Sequence, residues 1–450
     1  MVTDWSQSIE PIVAPLSPRP EFRGCNFKET ARGLNSPRAF VRDLEIPALV
    51  FKVSPLSLKS VDIDRFKGSP IGRLVPIEGY DARYHEHYKH VAYVADPLRS
   101  SVDLDQATWS SVTDAMLAIG RLDAAALRLP NPSLIVRPAI RKEAVSTSAL
   151  EGTYAAFSDV LEADFLEEGE LSSSVLEVRN YVRAAEKGFA LIGERPISRN
   201  LIAELQAVLV KGTRGDSYEA GQLRQKPVLI GPDGCRVMEA RFVPCPPGDE
   251  LEVGVSDWEK WVNADDDIPL LVKVALAHYQ FETLHPFNDG NGRLGRLIAI
   301  LQLVAAGALA FPVLNISPWL EVRRSAYQDH LATVSETGDF NPWVSFFAQA
   351  VRAQSDDGVR RVDGLIHLKD VMVGRLRTAG VRSVAIPIAE DLIGFPVISP
   401  TMAAEMYEVT YQTANTAIAR LVELEVLEQI GTRPYARLFR APAVMRLLES

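Results

Sequence analysis

Cysteine is scarce in this 450-residue chain: Cys25, Cys235 and Cys245 are odd in number and widely spaced. That excludes a disulfide framework as the source of stability and fits free thiols in a reducing compartment. Positive charge is also short. Lys and Arg number 48 against 58 Asp and Glu, a formal charge of -10, whereas a chain built mainly to bind nucleic acid needs cations to neutralise phosphate. No internal repeat or low-complexity tract is present. Residues Met1 to Glu10 lack a basic start followed by an apolar core, so no signal peptide and a cytoplasmic protein are expected. Long apolar runs are missing but for Leu297 to Leu314, in which Gln302 is the only polar side chain. Gly307 and Pro312 interrupt that run, which predicts a buried helix ending near Gly307 and no membrane partner.

With 47% hydrophobic and 24% charged residues, the remainder reads as a globular chain long enough for two or three domains. Residues 1–100 are expected to form a Pro-, Ser- and Arg-rich arm followed, from Phe51, by short strands. Tyr84 to His90 holds three histidines without an evident further ligand and reads as a surface turn rather than a metal cluster. Residues 101–195 turn helical, over Trp109 to Leu127, Val136 to Glu151 (with Pro138 tolerable only in a first turn) and Val175 to Arg195. Residues 196–355 begin with a helix from Ile197 to Val210. Pro227 to Ile230 and Val237 to Val243 then flank Gly231-Pro232-Asp233-Gly234, which predicts a β-hairpin, before helices resume at Trp258. A composition shift at Ser355-Asp356-Asp357-Gly358 marks a boundary. Residues 356–450 follow with helices over Ile386 to Leu392, Thr401 to Val409 and Tyr411 to Leu424, and a small hairpin over Val426 to Phe439 turning at Gly431. That is the order of a winged helix-turn-helix.

The densest chemistry lies in His285-Pro286-Phe287-Asn288-Asp289-Gly290-Asn291-Gly292-Arg293-Leu294-Gly295-Arg296. Gly290 to Gly295 matches G-x-G-x-x-G, but a helical segment precedes it and no acid occurs between Asp289 and Glu321, so a dinucleotide fold is excluded. Asp289-x-Asn291 fails as a calcium loop because Leu294 and Ile300 stand where Gly and Glu are required. An anion site at a helix N-terminus remains. Gly290 and Gly292 allow close approach of backbone N–H groups to a ligand, and a helix from about Arg293 directs its dipole there. Arg293 and Arg296 share the first turn and can grip phosphate, Asp289 is placed to hold Mg2+, and His285 can take a proton from a hydroxyl. Together these describe phosphoryl or nucleotidyl transfer.

The twelve residues match every defined position of H-P-F-x-D/E-G-N-G-R-x-x-R, and the chain resembles the Fic-domain family. The resemblance implies a mainly α fold: a helical Fic core with a β-hairpin flap and, here, a C-terminal winged helix-turn-helix. It implies transfer of AMP from ATP, with Mg2+, to a Ser, Thr or Tyr hydroxyl of a target protein. His285 would be the base, Phe287 the loop anchor and Asp289 the metal ligand. Gly290, Asn291, Gly292, Arg293, Gly295 and Arg296 would bind nucleotide. Val228, Leu229, Ile230 and Gly231 would be the flap strand that aligns the target by strand addition. G-N-G in place of the A-N-K of related phosphotransferases favours nucleotidyl transfer.

Thr147-Ser148-Ala149-Leu150-Glu151-Gly152 read alone is a helix C-terminus capped by glycine. It also matches the family's inhibitory pattern S/T-x-x-x-E-G/N, which implies that Thr147, Glu151 and Gly152 bring a carboxylate to Arg296, as a bidentate pair, in place of the ATP γ-phosphate. The resemblance departs at Arg323-Arg324, where members often carry Asn-Arg near adenine, so it does not set the nucleotide preference. Thr401 to Ser450 holds five Arg, no Lys and six Glu, which disfavours DNA as its partner and leaves protein interaction or homo-oligomerisation. Two alternative functions stand beside AMP transfer: a nucleotide-sensing DNA-binding regulator, and an enzyme that also removes AMP with Glu151 orienting water.

Overall fold

Fifteen helices and five short strands make up the described part of the chain. A computed structural model describes residues 63–450 except Pro130, Asp233, 432–436 and the side chain of Asp64. The expected N-terminal arm and Cys25 lie outside the described residues. Strands β1 (Gly72–Asp81) and β2 (Glu86–Ala95) form an antiparallel hairpin in register from Gly72 opposite Ala95 to Asp81 opposite Glu86. Strand β2 takes in Glu86 to His90, so the expected surface turn narrows to the residues before it and ends at His85, in a left-handed conformation with φ 54°.

The helices that build the site follow: α1 (Gln106–Ala126), α2 (Ser133–Leu150), α3 (Phe157–Glu162), α4 (Ser173–Leu191), α5 (Arg199–Val210), α6 (Asp249–Val262), α7 (Leu270–Leu284) and α8 (Asn291–Ala305). Short polar side chains start several of them. Asp105 accepts from the Thr108 N–H at 2.7 Å, and Ser172 and Ser198 cap α4 and α5 in the same way, satisfying N–H groups that have no partner in the first turn. Beyond the Arg296 turn helix α8 is apolar on nearly every face, and it is buried all round: every residue from Asn291 to Leu303 is buried. Leu294, Leu297, Ile298 and Leu301 pack into the core with α2, α4, α5 and α6, while Ala299, Ile300 and Leu303 face a second core with α1 and α11. The run that borders on membrane length is thus a core helix closed by Gly307 at φ 71°, and no helix among the described residues is long and apolar enough to cross a membrane.

After α8 come α9 (Ser317–Val322), α10 (Arg324–Thr337) and the 38-residue α11 (Asn341–Thr378). The boundary expected at residues 355–358 falls inside α11, which runs through it unbroken. Gly358 there admits Leu122 of α1, whose Cδ1 would lie 2.7 Å from a Cβ, so close helix packing accounts for the glycine. Then follow α12 (Ala385–Asp391), β3 (Val397–Ile398), α13 (Pro400–Met406), α14 (Tyr411–Glu423), β4 (Glu428–Ile430), β5 (Leu438–Arg440) and α15 (Pro442–Glu449), the last unanticipated from sequence. The strands form one antiparallel sheet ordered β3-β5-β4.

This C-terminal region holds α2 directly. Pro138 lies in the second turn of α2, beyond the position expected to tolerate it, and lacks the N–H that would bond the Leu134 carbonyl. Gly394 abuts that carbonyl, and a Cβ there would stand 2.6 Å from the oxygen. Arg137 stacks its guanidinium 4.6 Å from the Phe395 ring, and Lys142 donates to the Leu448 carbonyl of α15 at 2.9 Å. On the other flank Glu143 accepts from the Ser317 N–H and hydroxyl at the start of α9, and Asn315 donates to the Ala139 carbonyl at 2.7 Å.

Candidate active site

Helix α7 ends at His285, whose backbone is left-handed (φ 49°, ψ 61°), and turns the chain into the loop before α8. Phe287, wholly buried, anchors that loop in the core. Asn291 closes it: its side chain accepts from the Phe287 N–H at 2.9 Å and donates to the Phe287 carbonyl at 2.7 Å. The Asn291 amide is therefore engaged in shaping the loop. Gly290 precedes α8 at φ 83°, where a side chain would be strained and would meet Leu209 Cδ2 at 2.7 Å. The helix starts at Asn291, two residues earlier than expected, so its first N–H groups belong to the glycine-rich turn itself.

Glu151, the residue after α2, reaches this N-terminus. Its Oε1 lies 2.5 Å from Arg296 Nη2 and would be 2.1 Å from a Cβ at position 292, so only glycine leaves room for the carboxylate. Gly152 follows at φ 86°, as a glycine closing a helix does. The pair is not bidentate as expected. Arg296 gives Nε to the Thr147 hydroxyl at 2.7 Å and Nη2 to the Thr147 carbonyl at 3.0 Å as well as to one oxygen of Glu151. Burial pushes the Glu151 carboxyl up, yet the Arg296 guanidinium more than offsets this and holds it below its usual range. The Arg296 side chain is 2% exposed and that of Glu151 39%, so the cation is fixed and the acid is the partner that can leave.

Arg293 points from the same turn to Glu177 of α4 at 3.2 Å and to Asp289 at 3.3 Å. Asp289 Oδ1 also accepts from the Gly290 N–H at 2.6 Å. The other carboxylate oxygen is suited to a hard cation that takes its remaining ligands from phosphate and water, which is how Mg2+ is ordinarily held. Among the described residues no group of three or more His, Cys, Asp or Glu could hold a metal.

Burial pushes the His285 imidazole down to about 4, with the Arg224 charge acting in the same direction and Glu151 and Asp289 opposing it. The ring is neutral at neutral pH. Its Nδ1 lies 3.4 Å from the Glu282 carbonyl, which suits a proton on Nδ1 and leaves Nε2 to accept one. Glu282 lines the same cavity. Burial pushes its carboxyl up to about 7, Arg296 pulling it down and Glu151 pushing it further up. The cavity, about 120 Å³, lies between the site, Ile230 and Phe242 above it, and Gln328, Leu331 and Ala332 of α10.

Several residues stand apart from their expected places. Gly295 faces away from the cavity, where a Cβ would meet Glu282 Oε1 at 2.6 Å and Phe281 Cδ1 at 3.1 Å; it serves the packing of α8 on α7. Arg323 is exposed and stacks 4.2 Å over Trp319, and neither it nor Arg324 lines the cavity. The expected hairpin contracts to one bridge, Ile230 paired with Phe242, and Val237–Glu239 forms a 3-10 turn. Of Val228, Leu229, Ile230 and Gly231 only Ile230 lines the cavity. The bridge is backed by the β1–β2 hairpin: the Tyr93 N–H donates to the Val243 carbonyl at 2.9 Å, and Ile77 and Ala92 pack on Cys235, Val237 and Ala240. Arg224, Glu177, Glu282 and Tyr327 enter the site without a motif to announce them, because contacts across the chain bring them there.

Known proteins place this geometry. Residues 109–190 match the family described as Fic/DOC family N-terminal, and residues 196–303 match the Fic/DOC family. The first span holds Thr147, Glu151 and Gly152; the second holds His285 to Arg296. The chain thus carries a Fic/DOC domain. It is 33% identical over 143 residues to the protein adenylyltransferase Fic of Culex quinquefasciatus and 33% to that of Drosophila virilis, matches that cover 31% of this chain. It spans about a quarter of the length of these curated relatives, 25% and 26%. In fold it is similar to a Fic family protein from Desulfovibrio desulfuricans G20, with a TM-score of 0.50, 20% identity, and coverage of 76% of this chain and 98% of that one.

Proposed function

We propose that the protein is an autoinhibited protein adenylyltransferase, which transfers AMP from ATP to a Ser, Thr or Tyr hydroxyl of a target protein and releases pyrophosphate. The observation that carries this reading is the sharing of Arg296. The guanidinium at the first turn of α8, where a phosphate would sit, is held by Thr147 and Glu151 from α2. Glu151 also covers Gly292, and the cavity of about 120 Å³ is well short of the roughly 300–1,000 Å³ usual for a ligand of nucleotide size. Both features suit a closed resting state.

In the open state the Gly290–Gly292 turn and the α8 dipole hold phosphate oxygens, with Arg293 and Arg296 as cationic partners. Asp289 would hold Mg2+, which when bound would supply neutralisation of the charge on the leaving pyrophosphate. The target hydroxyl oxygen attacks the α-phosphorus as the bond to the bridging β-phosphate oxygen breaks, and its proton passes to His285. A neutral imidazole is in the state to accept that proton. Ile230, paired with Phe242 at the rim, offers the remaining flap backbone to an extended target segment.

The order α12, β3, α13, α14, β4, β5 supports reading the C-terminal region as a winged helix-turn-helix. Part of its charge is satisfied internally: Arg420 pairs with Glu423 and Arg440 with Glu428. That supports a protein-binding or oligomerising role over DNA binding. ATP labelled at the α-phosphate tests the whole reading. Glu151→Gly is expected to label protein in a lysate more than the wild type does, and Glu151→Gly with His285→Ala to label none. Labelling that survives the loss of His285 would refute its assignment as base.

A further inference from the structure

We propose that Arg224 is a positioning residue for the chemistry at His285: its enclosed guanidinium fixes the backbone on both sides of the imidazole and sets a positive charge behind it. The inference rests on the reading of His285 as the base.

Arg224 lies in the loop after α5 and is wholly buried. Its Nε donates to the His285 carbonyl at 2.8 Å, Nη2 to the carbonyls of Leu284 at 3.2 Å and of Cys245, and Nη1 to that of Lys226 at 3.3 Å. Its own N–H donates to the Pro286 carbonyl at 3.0 Å. Three successive carbonyls, 284 to 286, therefore end on one residue. The first two are the unsatisfied acceptors of the last turn of α7, where a cation also complements the helix dipole. His285 is left-handed, a conformation that a non-glycine residue keeps only when its surroundings dictate it. Arg224, which does not line the cavity, supplies that constraint.

The charge itself needs a reason. Among the described residues the contacts of Arg224 are backbone carbonyls and the Cys245 sulfur at 3.9 Å, with no carboxylate. A buried cation without a counter-ion is costly, and neutral side chains can also donate to carbonyls. The groups facing His285 explain its retention. Glu151 from the end of α2 and Asp289 from the loop are anionic and favour a protonated imidazole, and Glu282 of α7 presents its carbonyl to Nδ1. Arg224 is the cation that opposes them. Burial is the larger cause of the neutral ring, and the Arg224 charge adds to it against Glu151 and Asp289.

The experiment compares Arg224→Met, which removes charge and donors, with Arg224→Lys, which keeps the charge but loses the fork, both in the full chain with Glu151→Gly. Histidine Cε1 is labelled with 13C, and the His285 signal is assigned by its loss in His285→Gln. Arg224→Met is expected to raise the His285 titration at least one pH unit above its parent, while Arg224→Lys leaves it near the parent. Both are expected to lower kcat for AMP transfer tenfold or more, with KM for ATP within about twofold. An unmoved His285 titration in a folded Arg224→Met would overturn the charge role. Should that variant not fold, Arg224→Lys decides alone: an undiminished kcat would overturn the positioning role. The titration is read without turnover, so a shift in a protein that transfers no AMP would refute the proposed activity and leave the Arg224–His285 link standing.

Discussion

Replacing Glu151 by glycine removes the one contact at Arg296 that belongs to a partly exposed side chain, and its effect can be sized. A hydrogen bond between charged groups contributes about 1.5–3 kcal/mol. The Glu151 side chain is 39% exposed, so solvent screening lowers the figure to about 1–2 kcal/mol. If the γ-phosphate must displace the carboxylate from Arg296, that is about a 5- to 30-fold gain in productive ATP binding. AMP transfer at subsaturating ATP should rise by the same factor. Calorimetry should show tighter ATP binding but a smaller change for ADP, which has no γ-phosphate to compete. Glu151→Gln, which keeps the length but not the charge, should lie between. Acidification should mimic the substitution only weakly. Arg296 holds the carboxyl below its ordinary value of 4.5, so Glu151 stays ionised across pH 5–8 and any stability it lends is lost only as pH falls below about 4.5. Equal α-phosphate labelling by wild type and Glu151→Gly, with equal ATP affinity, would refute the competition.

Thr147→Val leaves Nε of the buried Arg296 without its acceptor and should cost about 1–3 kcal/mol, read as a lower urea midpoint at unchanged slope. Phe287→Ala empties the loop anchor and should cost about 3–5 kcal/mol, with AMP transfer lost even in molecules that remain folded. Gly394→Ala places a Cβ against the Leu134 backbone, which cannot swing away as a side chain can. About 1–3 kcal/mol of destabilisation is expected in thermal unfolding, and no change there would show that the C-terminal region does not grip α2 as described. Because burial and Arg224 hold His285 down to about 4, the rate of Glu151→Gly should show no acid limb from this ring between pH 5 and 8. A limb near 6.5 would mean that the imidazole is solvated in the working state.

Local pattern determined a good deal of this protein. Helix spacing and caps located most of the helices to within a few residues, because an amphipathic stripe and an N-terminal Ser, Thr or Asp act within one turn of the chain. The twelve residues from His285 to Arg296 carried their chemistry openly for the same reason: an anion site at a helix N-terminus is built from consecutive backbone groups. What local pattern could not supply was every decision made between distant segments. Among the described residues the expected flap hairpin pairs at Ile230 and Phe242, and a 3-10 turn at Val237–Glu239 stands where strand pairing would continue. Gly295 looked like part of the phosphate loop, but the packing of α8 on α7 gave it a different neighbour, Glu282. The composition break at Gly358 falls inside α11, where close packing on Leu122 accounts for the glycine. Arg224 had no motif at all, and its role follows from three carbonyls lying 60 to 62 residues further along the chain. The sequence alone shows that Glu151 and Arg296 have the right chemistry to meet. Tertiary structure alone decides that they do, that Thr147 takes part of the fork, and that glycine at 292 leaves the space between them.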